Sequence, residues 1–197
     1  MLPKPLPLRF YRRDTTLVAR ELLGKVLWRE KNGILTSGII IETEAYLGLN
    51  DPACHTYGGR QTHRVASMYL NGGHSYVYFV YGMHYCFNVV TQCSAVPEAV
   101  LIRALWPVLG EKAMRTRRKI TQRSNWCSGP GKLCQAMAID RTCDGLLLDS
   151  AKLFISNGIP FQKVQNDIQS SPRIGVGHAK HAKNWPLRFY LNAGSWP

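Results

Sequence analysis

The chain has 197 residues, 45% of them hydrophobic, which is enough for one domain with a substantial core. Its 25 Lys and Arg residues outnumber its 12 Asp and Glu residues, so the net charge is +13 at pH 7. The N-terminus lacks the apolar run of a signal peptide, and no stretch approaches the ~18 apolar residues of a membrane span. We expect a single domain over residues 1–197, with an extended lead-in at 1–8 and a tail at 193–197. We therefore expect a cytoplasmic protein with no membrane partner.

The predicted elements alternate between hairpins and short helices. Asp14 can cap a helix that Gly24 ends, and Asn32-Gly33 is a strong hairpin signal between strands at 25–30 and 34–46. Further along, the patterns predict a short helix at 61–70, strands at 75–80, 85–91 and 100–105, helices at 109–119 and 132–139, and strands at 146–148, 153–156 and 187–191. This hairpin-rich order favours an α+β fold with an antiparallel sheet.

The basic residues fall into three clusters, at 9–13, 60–64 and 115–123. A solvated helix face is the usual explanation of one such cluster, and a basic soluble protein is the plain alternative. Three clusters on one small domain favour DNA or RNA as the partner, because phosphate backbones attract such surfaces. Arg60, in the second cluster, is a candidate contact to the DNA backbone.

The cysteines give no sign of a metal site or a disulfide framework. None of the six forms a C-x-x-C pair, so the common zinc signatures are missing. His178 and His181 have no nearby Cys or carboxylate partner. We therefore expect reduced thiols, several of them buried, and no metal.

Residues 39–46 (IIIETEAY) place acids on one side of a predicted strand. Alternate residues of a strand share a face, so Glu42, Glu44 and Tyr46 point one way. The other face is predicted to carry Ile41, Thr43 and Ala45. The acidic face fits either the solvent side of a half-buried strand or a carboxylate at the rim of a cleft beside an aromatic platform.

Residues 75–85 (SYVYFVYGMHY) carry four tyrosines, three of which bear on the site. Tyr76 and Tyr78 share one face, with Val77 and Phe79 on the other, and sheet packing is a sufficient explanation for these two. Tyr81 lies at the hairpin turn itself. An aromatic side chain at such a tip can enter a minor groove and unstack a base step.

Arg103 interrupts the apolar run at 100–105. A guanidinium in a core-type strand must reach water or pair with an acid. Its partner is either a structural acid or, in a cleft, Glu44.

Residues 129–132 (GPGK) resemble part of a phosphate loop. Trp126 stands where the Walker pattern needs Gly, and Leu133 where it needs Ser or Thr. The segment is therefore predicted to lead into a helix N-terminus, where Gly131 and Lys132 can contact a backbone phosphate.

An ordered set of segments resembles the alkyladenine DNA glycosylase family, also called 3-methyladenine DNA glycosylases. The segments are IETEAYLG, DPACHTYGGRQT, YVYFVYGMHYCFN, VLIRALWP, CSGPGKLCQAMAI, RIGVGHA and PLRFY. The match covers nearly the whole chain, from Leu17 to about Tyr190, and the segments stand in the family's order, which makes the resemblance specific. The chain begins close to the domain start, as in bacterial members.

The resemblance implies a single domain with a curved antiparallel β-sheet and surrounding helices. It implies an enzyme that flips a damaged purine out of double-stranded DNA and hydrolyses its N-glycosidic bond, leaving an abasic site without a lyase step. Typical substrates are 3-methyladenine, 7-methylguanine, hypoxanthine and ethenoadenine. No cofactor or metal is needed, and we expect a monomer associated with the nucleoid.

The resemblance also assigns roles to individual residues. Glu44 matches the general base that activates the water, Arg103 matches the arginine that helps to hold it, and the backbone carbonyl of Ile174 matches its third contact. Tyr46, His55 and Tyr78 match residues that line the pocket for the flipped base, and Asn88 matches the asparagine that screens the amino group of normal guanine. Tyr81 matches the tyrosine that intercalates into the DNA and fills the gap left in the duplex.

Three other functions are compatible with parts of the sequence. A metal-dependent nuclease could use Glu42 and Glu44, although such sites gather several carboxylates and the 12 acids are scattered. A non-catalytic nucleic-acid-binding module accounts for the charge and the tyrosines but gives Glu44 and Arg103 no role. A sugar glycosidase could use the Glu pair, but the positive charge disfavours it.

Overall fold

The first hairpin of the sheet turns at Asn32-Gly33, as the sequence predicts. Both residues have a positive φ, 55° and 77°, which matches the two central residues of a type I′ turn. The turn joins strands β1 (Val26–Lys31) and β2 (Ile34–Tyr46), which pair antiparallel. These features come from a computed structural model of the protein, which describes residues 2–192 and 194.

All paired strands are antiparallel and belong to one sheet, which curls into a half-barrel. The further strands are β3 (Ser75–Val80), β4 (His84–Thr91), β5 (Glu98–Leu109), β6 (Asp149–Ser150), β7 (Leu153–Ser156), β8 (Ile168–Ser171) and β9 (Arg188–Leu191). The sheet order is β3-β4-β5-β2-β1-β7-β6, while β9 pairs with both β2 and β8. The predicted α+β class and curved antiparallel sheet are confirmed.

The helices cover the sheet and close the core. They are α1 (Thr15–Glu21), α2 (Glu111–Arg118), α3 (Pro130–Met137) and α4 (Phe161–Val164). Asp14 caps α1 by accepting the N–H of Leu17 at 2.8 Å, as predicted. Pro130 occupies the first turn of α3, where its missing N–H costs nothing.

Some predicted elements differ from those observed. Strand β5 continues to Leu109, and Gly110, with φ 78°, separates it from α2, so the helix predicted at 109–119 begins two residues later. The segment at 61–70 forms a 3-10 helix, His63–Tyr69, rather than an α-helix. Strand β6 lies just after the predicted 146–148, and neither α4 nor the polar edge strand β8 was predicted.

The pairing of β2 with β5 has three register shifts, and two of them change the alternation of side chains near Glu42. Ile41 is the extra residue between Ile40 and Glu42, and Arg103 is the extra residue opposite Glu42 and Thr43. As a result Ile40, not Ile41, packs in the main core with Ala45. Ile41 was predicted to share a face with Thr43 and Ala45, but it does not pack in the core with Ala45, because strict alternation fails at a bulge.

The lead-in, as far as the structure describes it, lies along the edge of the sheet. Leu6 is buried and donates its N–H to the carbonyl of Ile155 in β7 at 2.7 Å. Of the predicted tail at 193–197, only Gly194 is among the described residues. Within residues 2–192 and 194, no helix is long and apolar enough to cross a bilayer.

All six cysteines are free thiols, and five of them are buried. Cys93 is the exposed one. The prediction of unpaired cysteines, several of them buried, is confirmed.

Candidate active site

A cavity of about 380 Å³ opens beside the end of β2. Its walls come from β3, β4 and β5, from the segment after β2, and from the loop that precedes the 3-10 helix at Lys180–Asn184. The sequence-predicted residues that line it are Tyr46, His55, Tyr78, Tyr81, Asn88, Arg103, Gly131 and Ile174. Residues from seven separate stretches of sequence thus converge on one space, which has the size of a small-ligand pocket.

Glu44 lies behind the cavity wall, with its side chain 0% exposed. Its Oε1 accepts the N–H of Ile174 at 2.7 Å, and its Oε2 accepts the hydroxyl of Tyr46 at 2.9 Å and Nη1 of Arg103 at 3.2 Å. The prediction of a carboxylate beside an aromatic is confirmed, but Glu44 is neither on a solvent face nor at the rim of the cleft. Its three donors all line the cavity, so they separate the carboxylate from it.

The pKa of Glu44 is raised. Burial is the largest cause, since it disfavours the charged carboxylate, and Glu42 raises the pKa further. The Arg103 charge and the hydrogen bonds from Ile174 and Tyr46 act in the opposite direction. A carboxylate of this kind is a better proton acceptor than an exposed one and uses three of its roughly four acceptor positions.

Arg103 is held on both sides by acids. Its Nε donates to Glu42 Oε1 at 2.9 Å, while its Nη1 reaches Glu44. Glu42 also accepts Nε of Arg188, from β9, at 2.6 Å. The bulge at Arg103 aims the guanidinium at both glutamates, and the predicted pairing with an acid in a cleft is confirmed.

The remaining cavity wall is aromatic. The ring of His55 meets that of Tyr78 edge-on, with centroids 4.6 Å apart, and Tyr76 and Tyr78 lie side by side at 5.3 Å. Their common face is confirmed, since both line the cavity, while Val77 packs in the core. The guanidinium of Arg64 lies 5.5 Å from the Tyr78 ring centroid.

His55 is a neutral group at physiological pH. Burial lowers its pKa to about 4, helped by the positive charges of Arg64 and Arg60. Its Nδ1 is 2.8 Å from the hydroxyl of Tyr76. The ring therefore presents a hydrogen-bonding edge to the cavity without a positive charge.

Asn88 is buried at the base of the cavity, where its Nδ2 donates to the carbonyl of Tyr76 at 3.0 Å. This bond across the β3–β4 pair fixes the orientation of the amide. A rigid polar group at this position can distinguish bases by their exocyclic groups.

Tyr81 occupies the turn between β3 and β4 and is 84% exposed. Its φ of 54° is in the left-handed region, which is uncommon for a residue with a side chain. Met83, at the same tip, is also exposed. The hairpin thus presents an aromatic and a thioether side chain to solvent at the cavity mouth.

The three residues predicted at the DNA backbone have different positions. Gly131, at the start of α3, lines the cavity, and a Cβ there would lie 2.9 Å from the ring of His84. Lys132 lies outside the cavity and donates to Ser128 Oγ at 3.2 Å. Arg60 is exposed and also outside the cavity, although its charge reaches His55.

Several residues that line the cavity or lie behind it were not singled out from the sequence as site residues. Tyr76 had a usable signal, since it shares a strand face with Tyr78. Arg64 lay in a recognised basic cluster. Cys86, on β4, is the residue that pairs with Tyr78 of β3. The buried pair of Asp51 and Arg173 had no local signal, because 122 residues separate its members.

The chain is similar to known proteins over nearly its whole length. The sequence profile of the family described as "Methylpurine-DNA glycosylase (MPG)" matches residues 9–195. A protein of Carboxydothermus hydrogenoformans is 49% identical, and one of Bdellovibrio bacteriovorus is 48% identical, each over 94% of this chain and 94% of its own length. A Clostridium acetobutylicum protein is 46% identical over 92% of this chain and 91% of its own. All three carry the name "Putative 3-methyladenine DNA glycosylase". The chain belongs to the methylpurine-DNA glycosylase family and is a DNA-repair hydrolase.

Proposed function

We propose that this glycosylase removes alkylated or deaminated purines from double-stranded DNA by means of a water molecule that Glu44 activates. The observation that carries the proposal is the buried carboxylate of Glu44, held by Ile174, Tyr46 and Arg103 behind an aromatic cavity. A nucleotide flipped into that cavity brings its sugar close to these groups, since all three donors line the wall.

The reaction is a hydrolytic displacement at C1′ of the deoxyribose. The water oxygen bonds to C1′ as the bond from C1′ to the purine nitrogen breaks, and the bonding electrons leave with the base. Glu44 accepts a proton from the water, while Arg103 and the carbonyl of Ile174 hold the water in line. In the structure the N–H of Ile174 donates to Glu44, and the contact of the Ile174 carbonyl with the water remains a prediction.

The absence of a lyase step has its own support. A lyase needs an amine that attacks the sugar and forms a Schiff base. Among the described residues, no lysine lines the cavity, and its cationic side chains are the guanidiniums of Arg64 and Arg103. The product is therefore an intact abasic site.

The cavity suits purines that carry or gain positive charge. The faces of Tyr46 and Tyr78 attract a cationic ring through cation–π interaction, and a neutral His55 does not repel it. In 3-methyladenine and 7-methylguanine the positive charge already weakens the glycosidic bond. Hypoxanthine and ethenoadenine are neutral and need a proton as they leave, for which we assign no donor.

We place the working protein on duplex DNA as a monomer. The charge of +13 supports attraction to the phosphate backbone, with Arg60, Gly131 and Lys132 as contacts, and Tyr81 fills the space of the flipped nucleotide. We also propose that it works in the cytoplasm on the nucleoid and uses neither metal nor other cofactor.

Base release from defined substrates tests the proposal. Wild-type protein and Glu44→Gln are incubated, with a chelator present, with methylated DNA and with duplexes carrying one hypoxanthine or one ethenoadenine. We expect free methylpurines and alkali-sensitive sites from the wild type, with a loss of ~100-fold or more in the variant. Tight, salt-sensitive binding with intact substrate would support a binding module, and activity lost to the chelator would support metal-dependent chemistry.

A further inference from the structure

Asp51 and Arg173 form an ion pair behind the cavity, with both side chains fully buried. Arg173 donates from Nη1 to Asp51 Oδ2 at 2.5 Å and from Nη2 to Asp51 Oδ1 at 2.8 Å, so the pair is bidentate. Neither side chain lines the cavity. The proposed reaction therefore assigns them no role.

Asp51 organises the segment that follows β2. Its Oδ2 accepts the N–H of Leu47 and its Oδ1 accepts the N–H of Ala53, each at 3.0 Å. These bonds close a turn between Tyr46 and His55, two residues that line the cavity. Burial alone would raise the pKa of Asp51, but the hydrogen bonds from Arg173 and the two backbone donors lower it.

Arg173 is connected to two of the three donors that hold Glu44. It immediately precedes Ile174, whose N–H reaches Glu44 at 2.7 Å. Its guanidinium carbon also lies 4.7 Å from the ring centroid of Tyr46, whose hydroxyl is on the same carboxylate. A further bond, from Nη1 to the carbonyl of Ala45 at 2.9 Å, joins Arg173 to the end of β2.

We propose that the Asp51–Arg173 pair is a positioning device that holds the Ile174 N–H and the Tyr46 hydroxyl on the carboxylate of Glu44. This inference rests on the proposed function and adds to it two residues that touch neither water nor base. Arginine is required rather than lysine, because the planar fork binds Asp51 with two bonds and stacks on Tyr46 at the same time.

The double substitution Asp51→Asn with Arg173→Gln distinguishes a role of the pair in positioning the donors of Glu44 from a role in stabilising the fold. It removes both charges together, so no buried charge is left unpaired. The measurement is the single-turnover rate of base release from 7-methylguanine DNA as a function of pH. We expect a rate ~10–100-fold lower at neutral pH, since small displacements of reacting groups have effects of this size.

The pH profile supplies a second readout. Glu44 faces Glu42, Arg103, Tyr46 and the Ile174 N–H, and Arg188 faces it through Glu42. The positive charge of Arg173 also acts on Glu44, and Arg173→Lys keeps that charge. The Ile174 N–H and the Tyr46 hydroxyl favour the charged form of Glu44, so losing them should raise its pKa and move the low-pH limb of the rate profile to higher pH. We expect the affinity for DNA to stay as in the wild type. A purely structural role would change the melting temperature and leave the midpoint of this limb in place.

Two further variants complete the test. Arg173→Lys keeps the charge but not the fork, so we expect a smaller loss of rate in the same direction. Asp140→Asn with Lys31→Gln removes both charges of the Lys31–Asp140 pair, outside the cavity, and should leave rate and midpoint unchanged.

The results discriminate between the two proposals. A folded double variant with the wild-type rate and midpoint would overturn the inference, and so would failure of that variant to fold at 25 °C, since the pair would then hold the fold. If wild-type protein releases no base, or Glu44→Gln releases it normally, the proposed function fails instead.

Discussion

The backbone N–H of Ile174 lies 2.7 Å from Oε1 of Glu44, although 130 residues separate the two along the chain. This contact closes the loop before the 3-10 helix at Lys180–Asn184 onto the long strand β2. It gives a fully buried carboxylate a donor that carries no net charge. The balance between burial and its three donors therefore determines at which pH Glu44 is able to accept a proton.

We expect activity on cationic lesions to fall as the pH falls through the pKa of Glu44. A general base must be ionised, and burial raises this pKa above the usual value of about 4.3 for glutamate. The measurement is the single-turnover rate on 7-methylguanine DNA between pH 4 and 8. A limb with its midpoint at or below the usual glutamate value would contradict the assignment.

Glu44→Gln should not destabilise the protein at neutral pH. Because the folded-state pKa of Glu44 is raised, the stability that its protonation contributes is present below the unfolded pKa and is lost as the pH rises through the folded pKa. An uncharged amide avoids that loss. Thermal unfolding at pH 7.5 should give an equal or higher melting temperature for the variant, and the difference should shrink toward pH 4. A clearly lower melting temperature of the variant at pH 7.5 would show that the attraction between Arg103 and the charged Glu44 outweighs the cost of burying that charge.

Glu42 is expected to act through Arg103. It accepts Nε of Arg103 at 2.9 Å and Nε of Arg188 at 2.6 Å, so its charge fixes the guanidinium that reaches Glu44. Glu42→Gln should lower the single-turnover rate about 10-fold with little change in DNA affinity. Glu111→Gln, at the surface pair with Arg123, is the matched control and should leave the rate unchanged. Equal rates for all three proteins would remove Glu42 from the mechanism.

Strand alternation was sufficient to bring some of the site together from the sequence. It put Glu42, Glu44 and Tyr46 on one face and made an acid the partner of Arg103, and both statements hold. The bulge at Ile41 was not predictable, because an extra residue in a strand leaves no mark on an apolar run. Strict alternation therefore put Ile41 on the same face as Ala45, whereas in the fold it is Ile40 that packs in the core with Ala45.

Long-range contacts set a second limit. The Asp51–Arg173 pair and the Ile174 N–H depend on a loop whose residues show no periodic pattern, so only the folded chain brings them to Glu44. The resemblance supplied Ile174 through its carbonyl, as a contact of the water, and did not include the bond from its N–H to Glu44. The polar strand β8 was missed for a related reason, since an edge strand that buries little has no alternation of apolar residues.

Tyr81 should affect DNA binding and not folding. Its side chain is 84% exposed, so Tyr81→Ala is expected to change the free energy of unfolding by less than about 0.5 kcal/mol. Loss of the wedge should weaken binding to lesion-containing duplex by ~1–3 kcal/mol, because stacking on bases has this magnitude. Ile34→Ala, at an exposed position beside the β1–β2 turn, is the control and should leave affinity unchanged. Fluorescence anisotropy measures the affinities, and equal values for both variants would exclude Tyr81 as the wedge.

Asn88 should control which purines the cavity rejects. Its amide is buried and fixed by the bond to the Tyr76 carbonyl, so it cannot move aside for an added exocyclic amino group. We expect Asn88→Ser, which frees space, to raise the release of normal guanine relative to hypoxanthine by ~10-fold or more, since an unmatched buried polar contact is worth ~1–3 kcal/mol. Guanine release from undamaged DNA, normalised to hypoxanthine release from a defined duplex, gives this ratio. Cys93→Ser, at the exposed thiol, should leave it unchanged. If Asn88→Ser lowers both rates equally, the residue orients the base without screening it, and discrimination must come from the fit of the aromatic walls.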